Sequence, residues 1–111
     1  MHAEAFSSAE LRHGPYALLG PGFPALLLAQ HDATQAGIKD LGAELARRGL
    51  CVMIAGAEIP GSIGLPTVDT LPEIGPILQV QSAYRLIATL SVRRGFDPDR
   101  PAHLRKVTET I

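Results

Sequence analysis

Apolar and polar positions along this chain fall into blocks that predict a strand, a helix and a second strand in close succession. Ala25-Leu26-Leu27-Leu28-Ala29 is an unbroken apolar run of strand length, delivered by the turn cluster Gly20-Pro21-Gly22-Phe23-Pro24. A run without polar alternation suits a strand buried on both faces, as in a parallel sheet covered by helices. After it the period changes. Ile38, Leu41 and Leu45 recur on one helical face, while Lys39, Asp40, Glu44, Arg47 and Arg48 occupy the other and read as a solvated face. Asp32 and Gln35 have capping-box spacing, Glu44 and Arg48 are spaced as an i,i+4 pair, and Gly49 stands where helices end. Leu50-Cys51-Val52-Met53-Ile54-Ala55 is the second buried strand, which completes a βαβ unit with an expected right-handed crossover.

The flanks are less regular. Residues 57–66 read as a loop, given Pro60, Gly61, Gly64 and Pro66, and residues 67–71 as a short strand near the sheet edge. A last helix starts at Gly75-Pro76 and is apolar on nearly every side from 77 to 92, interrupted mainly by Gln79, Gln81 and Arg85. A helix so widely apolar needs cover all round, more than so short a chain supplies, so a partner surface is expected against it. Arg93 and Arg94 suit its C-terminus and Gly95 closes it. At the other end, residues 1–6 could form a strand, and Ser7 and Ser8 offer capping hydroxyls to a short helix. The class is α/β, a parallel sheet flanked by helices.

Composition narrows the function. With 111 residues the chain makes one small domain at most. Ten basic residues against eleven acidic ones leave no electrostatic footprint for nucleic acid or an anionic membrane. No apolar run approaches the roughly 18–20 residues needed to span a bilayer. A single cysteine, Cys51, excludes an internal disulfide and, with no signal-peptide pattern, points to the cytoplasm.

The chemistry concentrates in Glu10-Leu11-Arg12-His13-Gly14-Pro15, wedged between apolar runs. Glycine permits a turn and proline has its φ preset for a first helical turn, so a sharp corner is expected, with residues 16–19 folding into a short helical turn behind it. Such a corner holds one imidazole in a fixed place. Histidine both takes and gives a proton near neutral pH. It also serves as a structural side chain bonded to nearby backbone, and local sequence alone leaves both roles open.

The run His2-Ala3-Glu4-Ala5-Phe6-Ser7-Ser8-Ala9-Glu10-Leu11-Arg12-His13-Gly14-Pro15 resembles the segment HAEAY-x-x-x-ELKHGP of the sugar isomerase (SIS) domains. Nearest within that family are the glutamine:fructose-6-phosphate amidotransferases and the SIS-type glucosamine-6-phosphate deaminases. Gly95-Phe96-Asp97-Pro98-Asp99-Arg100-Pro101, followed by Leu104-Arg105-Lys106-Val107-Thr108, is similar to the family's closing G-x-D-x-D-x-P-R-x-L-x-K-x-V-T tail. Ala102 stands where arginine is common, and Val107 follows Lys106 directly, which leans towards the deaminase-like branch.

The resemblance implies the C-terminal half of a flavodoxin-like, three-layer SIS domain over residues 1–95 and a tail over 96–111 that closes on the sugar site. It implies action on a hexosamine or fructose 6-phosphate, with no cofactor. His13 matches the family's ring-opening histidine, which reaches into a neighbouring subunit's site, and Lys106 the lysine beside the substrate carbonyl. Glu10, Arg12 and Arg105 are the accompanying candidates for substrate binding. The family's carbon-acid base lies in the pattern E-G-x-L-K-x-K-E, which does not occur here, and neither does its Ser/Thr-rich phosphate loop. The expected partners are therefore a second copy or the N-terminal SIS half, without which the chain is expected to be inactive. An alternative within the same fold is a non-catalytic module that binds a sugar phosphate or dimerises.

Other chemistries find little support. His2, His31 and His103 show no metal spacing with one another or with Cys51. No G-x-G-x-x-G or P-loop spacing is present, and no Ser-His-Asp or Cys-His arrangement stands out.

Overall fold

The structure is a computed structural model that describes residues 4–100. Two compact units divide the chain, Met1–Gln79 and Val80–Ile111.

The first unit is built on a three-stranded parallel sheet in the order β1-β2-β3, with β1 at Pro24–Leu28, β2 at Cys51–Ala55 and β3 at Ile63–Leu65. The expected βαβ unit is present: α2, Gln35–Arg47, connects β1 to β2 and packs on both. (α1, Ser8–His13, precedes them in the chain.) Register explains which side chains meet the helix. Ala25 lies opposite Val52 and Leu27 opposite Ile54, so all four share one face of the sheet. Leu41 and Leu45 of α2 bury completely in the same core, with Ala29, Leu50 and Ile59 around them. Each of these large apolar side chains contributes about 2 kcal/mol by leaving water. Gly42 lets α2 sit close, since a β-carbon there would lie 2.3 Å from the end of Ile59. Gly49, at φ +83°, ends the helix in the left-handed conformation that its sequence position suggested.

Burial on both faces of the sheet is not what the structure has. On the face away from α2 only Ala55 is buried, while Leu26, Leu28 and Met53 are half-buried and Cys51 and Ile63 exposed.

Three further expectations are corrected. The edge strand forms at Ile63–Leu65, inside the stretch expected to be loop, while residues 67–71 carry no strand. Gly61, at φ +78°, turns the chain so that residue 63 reaches the free edge of β2, and Pro66, lacking an N–H, stops the pairing. Residues 4–6 join no sheet; they lead instead into the cap of α1. The Asp32–Gln35 capping box does not form. Thr34 occupies the N-cap but does not cap the helix with its side chain, because its hydroxyl donates to Asp32 Oδ1 at 2.5 Å, and the same oxygen accepts from the Thr34 backbone N–H at 2.8 Å. The Gln35 amide instead donates to the Gly56 carbonyl at 2.9 Å.

The last helix, α3, runs Gly75–Arg93 and so starts where Gly75-Pro76 predicts. None of its residues is buried, and its apolar positions Val80, Leu86, Ile87 and Val92 are exposed. Gly95, at φ +79°, closes it, with the Phe96 N–H returning to the Ser91 carbonyl at 3.0 Å.

Candidate functional site

The corner predicted around His13 is built by two short helices meeting at Gly14. α1 is secured at its start by the reciprocal cap its sequence encodes. The Glu10 N–H donates to Ser7 Oγ at 3.2 Å, and the Ser7 N–H donates to Glu10 Oε2 at 2.9 Å. The backbone bond from Ser7, followed by its hydroxyl bond, holds the Glu10 carboxyl below the usual carboxylate range. Arg12 and His13 form the last turn of α1, where the Arg12 charge complements the helix dipole. Gly14 then turns the chain, and Pro15 opens a 3-10 turn at Pro15–Leu18. His13 is exposed at this corner, open to solvent rather than sealed in the core.

What holds the corner to the rest of the unit comes from α2. Arg12 Nη1 donates to Glu44 Oε2 at 3.0 Å, and the Tyr16 hydroxyl donates to Glu44 Oε1. Both oxygens of one carboxylate are therefore engaged by side chains that flank His13 in sequence. The Tyr16 hydroxyl is the larger reason that the Glu44 carboxyl titrates below its ordinary range, with Arg12 adding to it. Arg48, one turn on, lies over the Tyr16 ring at 4.4 Å and donates to the Tyr16 and Leu19 carbonyls at 3.2 and 2.8 Å. Leu11, Tyr16 and Leu19 also pack against the core. The expected Glu44–Arg48 pair is thus replaced by bonds from each residue to the corner, and this half of the polar helix face is a docking surface.

A second polar cluster closes the C-terminal ends of β1 and β2. The Gln79 amide donates to the Ala29 carbonyl at 2.7 Å, and Gln35 serves Gly56 in the same way. Gly56 is at φ +79°, and a β-carbon on it would lie 2.0 Å from the Ala29 oxygen. At the start of α2, Asp32, Gln35, Lys39 and Asp40 line a shallow open depression that holds none of the sequence-predicted site residues.

Glu10 caps α1, Arg12 is bonded to Glu44, and His13 is exposed at the corner between Arg12 and Tyr16. Lys106 and Arg105 lie outside the described residues. The sequence did not point to a role for Tyr16, Glu44 and Arg48 at this corner, pairing Glu44 only with Arg48, because the bonds that matter join residues 28 to 32 positions apart. Among the described residues, no group of three or more His, Cys, Asp or Glu side chains could hold a metal ion. Nor is any helix among them long and apolar enough to cross a membrane.

No family model matches the chain. Individual relatives do. Over 96% of its length it is 33% identical to a glutamine–fructose-6-phosphate aminotransferase (isomerizing) of Methanothermobacter thermautotrophicus and 29% identical to one of Mesorhizobium japonicum. It spans only 19% of the length of either. Among solved structures, one from Silicibacter pomeroyi described as a phosphosugar isomerase superposes with a TM-score of 0.78 at 31% identity, over 88% of this chain and 30% of that one. The chain resembles part of a sugar isomerase (SIS) domain. Its three-stranded parallel sheet with helices is a small α/β portion of the SIS fold, in accord with the motifs at its two ends.

Proposed function

We propose that this chain supplies the ring-opening half of an SIS-type active site that acts on a hexosamine or fructose 6-phosphate. The observation that carries the proposal is the exposed His13 at a corner clamped to α2, in a chain similar to aminotransferases and a phosphosugar isomerase along most of its length. Ring opening removes the proton from the anomeric hydroxyl and returns one to the ring oxygen as the carbon–oxygen bond breaks. An imidazole that exchanges protons near neutrality serves both halves of that step. Lys106 is assigned to the carbonyl oxygen, where its ammonium balances the negative charge that grows as the enediol forms. Glu10 and Arg12 support the corner through Ser7 and Glu44, and Arg105 accompanies Lys106 at the substrate. The base that takes the carbon-bound proton and the loop that binds phosphate come from residues outside these 111, supplied by the rest of an SIS domain or a second copy. The exposed apolar positions of α3 are consistent with such a partner. The site is cytoplasmic.

The test is to combine the full chain with the remainder of the Methanothermobacter aminotransferase, expressed without the matched segment. Fructose 6-phosphate and glucosamine 6-phosphate are the substrates to try. Turnover that appears only in the mixture and vanishes with His13→Ala supports the proposal. Binding of either sugar phosphate without turnover, unchanged by His13→Ala, would instead identify a sensory or dimerising module.

A further inference from the structure

We infer that Tyr16, Glu44 and Arg48 are positioning residues for His13, forming a clasp that fixes the imidazole relative to α2. The inference rests on the ring-opening role assigned to His13 above. Its basis is the way the contacts bracket that residue. Arg12 on one side and Tyr16 on the other each end on a different oxygen of the same Glu44 carboxylate. Arg48 then pins the backbone that follows, by two carbonyls and by the face of the Tyr16 ring. His13 is exposed, with no buried wall of side chains to hold it, and Gly14 beside it is a natural hinge. Without the clasp, α1 and the 3-10 turn would rest on the apolar contacts of Leu11, Tyr16 and Leu19, which fix depth better than orientation. A proton-transfer group must be held to within a fraction of an ångström, and a misplacement of about 1 Å costs on the order of a hundredfold in rate.

Two measurements test this, one on the chain alone and one on the assembled enzyme. The variants are Tyr16→Phe, which keeps the ring on the core, Glu44→Gln, which keeps a hydrogen-bond acceptor, and Arg48→Lys. Lys39→Ala, on the exposed part of α2, is the control. In the full 111-residue chain, nuclear magnetic resonance should show faster amide exchange over residues 14–19 and a moved His13 ring resonance in the three clasp variants. Circular dichroism should stay that of a folded protein. In the mixture with the remainder of the aminotransferase, kcat should fall about tenfold to a hundredfold with KM within about twofold, and Lys39→Ala should do nothing. If His13→Ala abolishes turnover while all three clasp variants keep wild-type kcat, the positioning role is overturned and the ring-opening role stands. A fall in kcat with unchanged His13 resonance and exchange also overturns it. If His13→Ala keeps full turnover, the ring-opening role fails first and the positioning role falls with it.

Discussion

The packed interface between α2 and the sheet and the corner that carries His13 are held by different physics. In the first, Leu41, Leu45, Val52 and Ile54 lose essentially all contact with water, and stability comes from area and close fit. In the second, two short helices with no fully buried residue are held to the core by Leu11, Tyr16 and Leu19 and by a few directional bonds that converge on Glu44 and Arg48. Core packing tolerates no gap and is indifferent to pH, whereas the corner should yield locally and respond to protonation. The difference separates folding from chemistry: side chains at the corner can change while the sheet stays intact.

The sharpest way to break the core side is Gly56→Ala. Its β-carbon would meet the Ala29 carbonyl oxygen at 2.0 Å, and φ of +79° disfavours any side chain there. A cost above about 3 kcal/mol is expected, read as a lower urea midpoint followed by circular dichroism. Leu45→Ala empties a fully buried site between α2 and the sheet. Urea unfolding should show a loss of about 2–5 kcal/mol with the same secondary structure in the folded baseline.

Smaller effects sharpen the corner side. The Glu44 carboxyl is held below its ordinary range by the Tyr16 hydroxyl and then by Arg12. Its native pKa is therefore lower than its unfolded one. The stabilisation it contributes is complete above the unfolded pKa and is lost as pH falls through the native value. The stability gap between wild type and Glu44→Gln should be widest near about pH 7 and shrink towards about pH 3. A gap that stays constant over that range would show that the carboxylate charge does not matter to the clasp.

How much of this was legible depended on the range of the interaction. The apolar runs of β1 and β2 and the Ile38, Leu41 and Leu45 stripe announced the βαβ unit, because periodicity reports which face is buried. The cap of α1 was legible in part: Ser7 offered a capping hydroxyl, while Glu10, read as a candidate for substrate binding, proves to be its reciprocal partner one turn on. Strand β3 was missed: three residues with a central Gly64 carry no periodic signal, and only the free edge of β2 makes them a strand. Asp32 and Gln35 had the right spacing for a cap, but Thr34 and the Gly56 carbonyl competed for them and won. Glu44 and Arg48 were misassigned to each other for the same reason. Their real partners lie across the chain, where spacing says nothing. The Gly14-Pro15 signal marked the corner that carries His13, but its chemical role came only from the resemblance, because local sequence left a structural histidine open as well.

The most direct test of the account is the effect of His13→Ala on both stability and turnover. Because the imidazole is exposed at the corner, the melting curve of the variant chain should overlay that of wild type. Sugar-phosphate turnover in the reconstituted SIS assembly should fall by at least about a hundredfold, the usual scale of a lost proton-transfer group. Turnover at the wild-type rate by a fully folded His13→Ala protein would contradict the account.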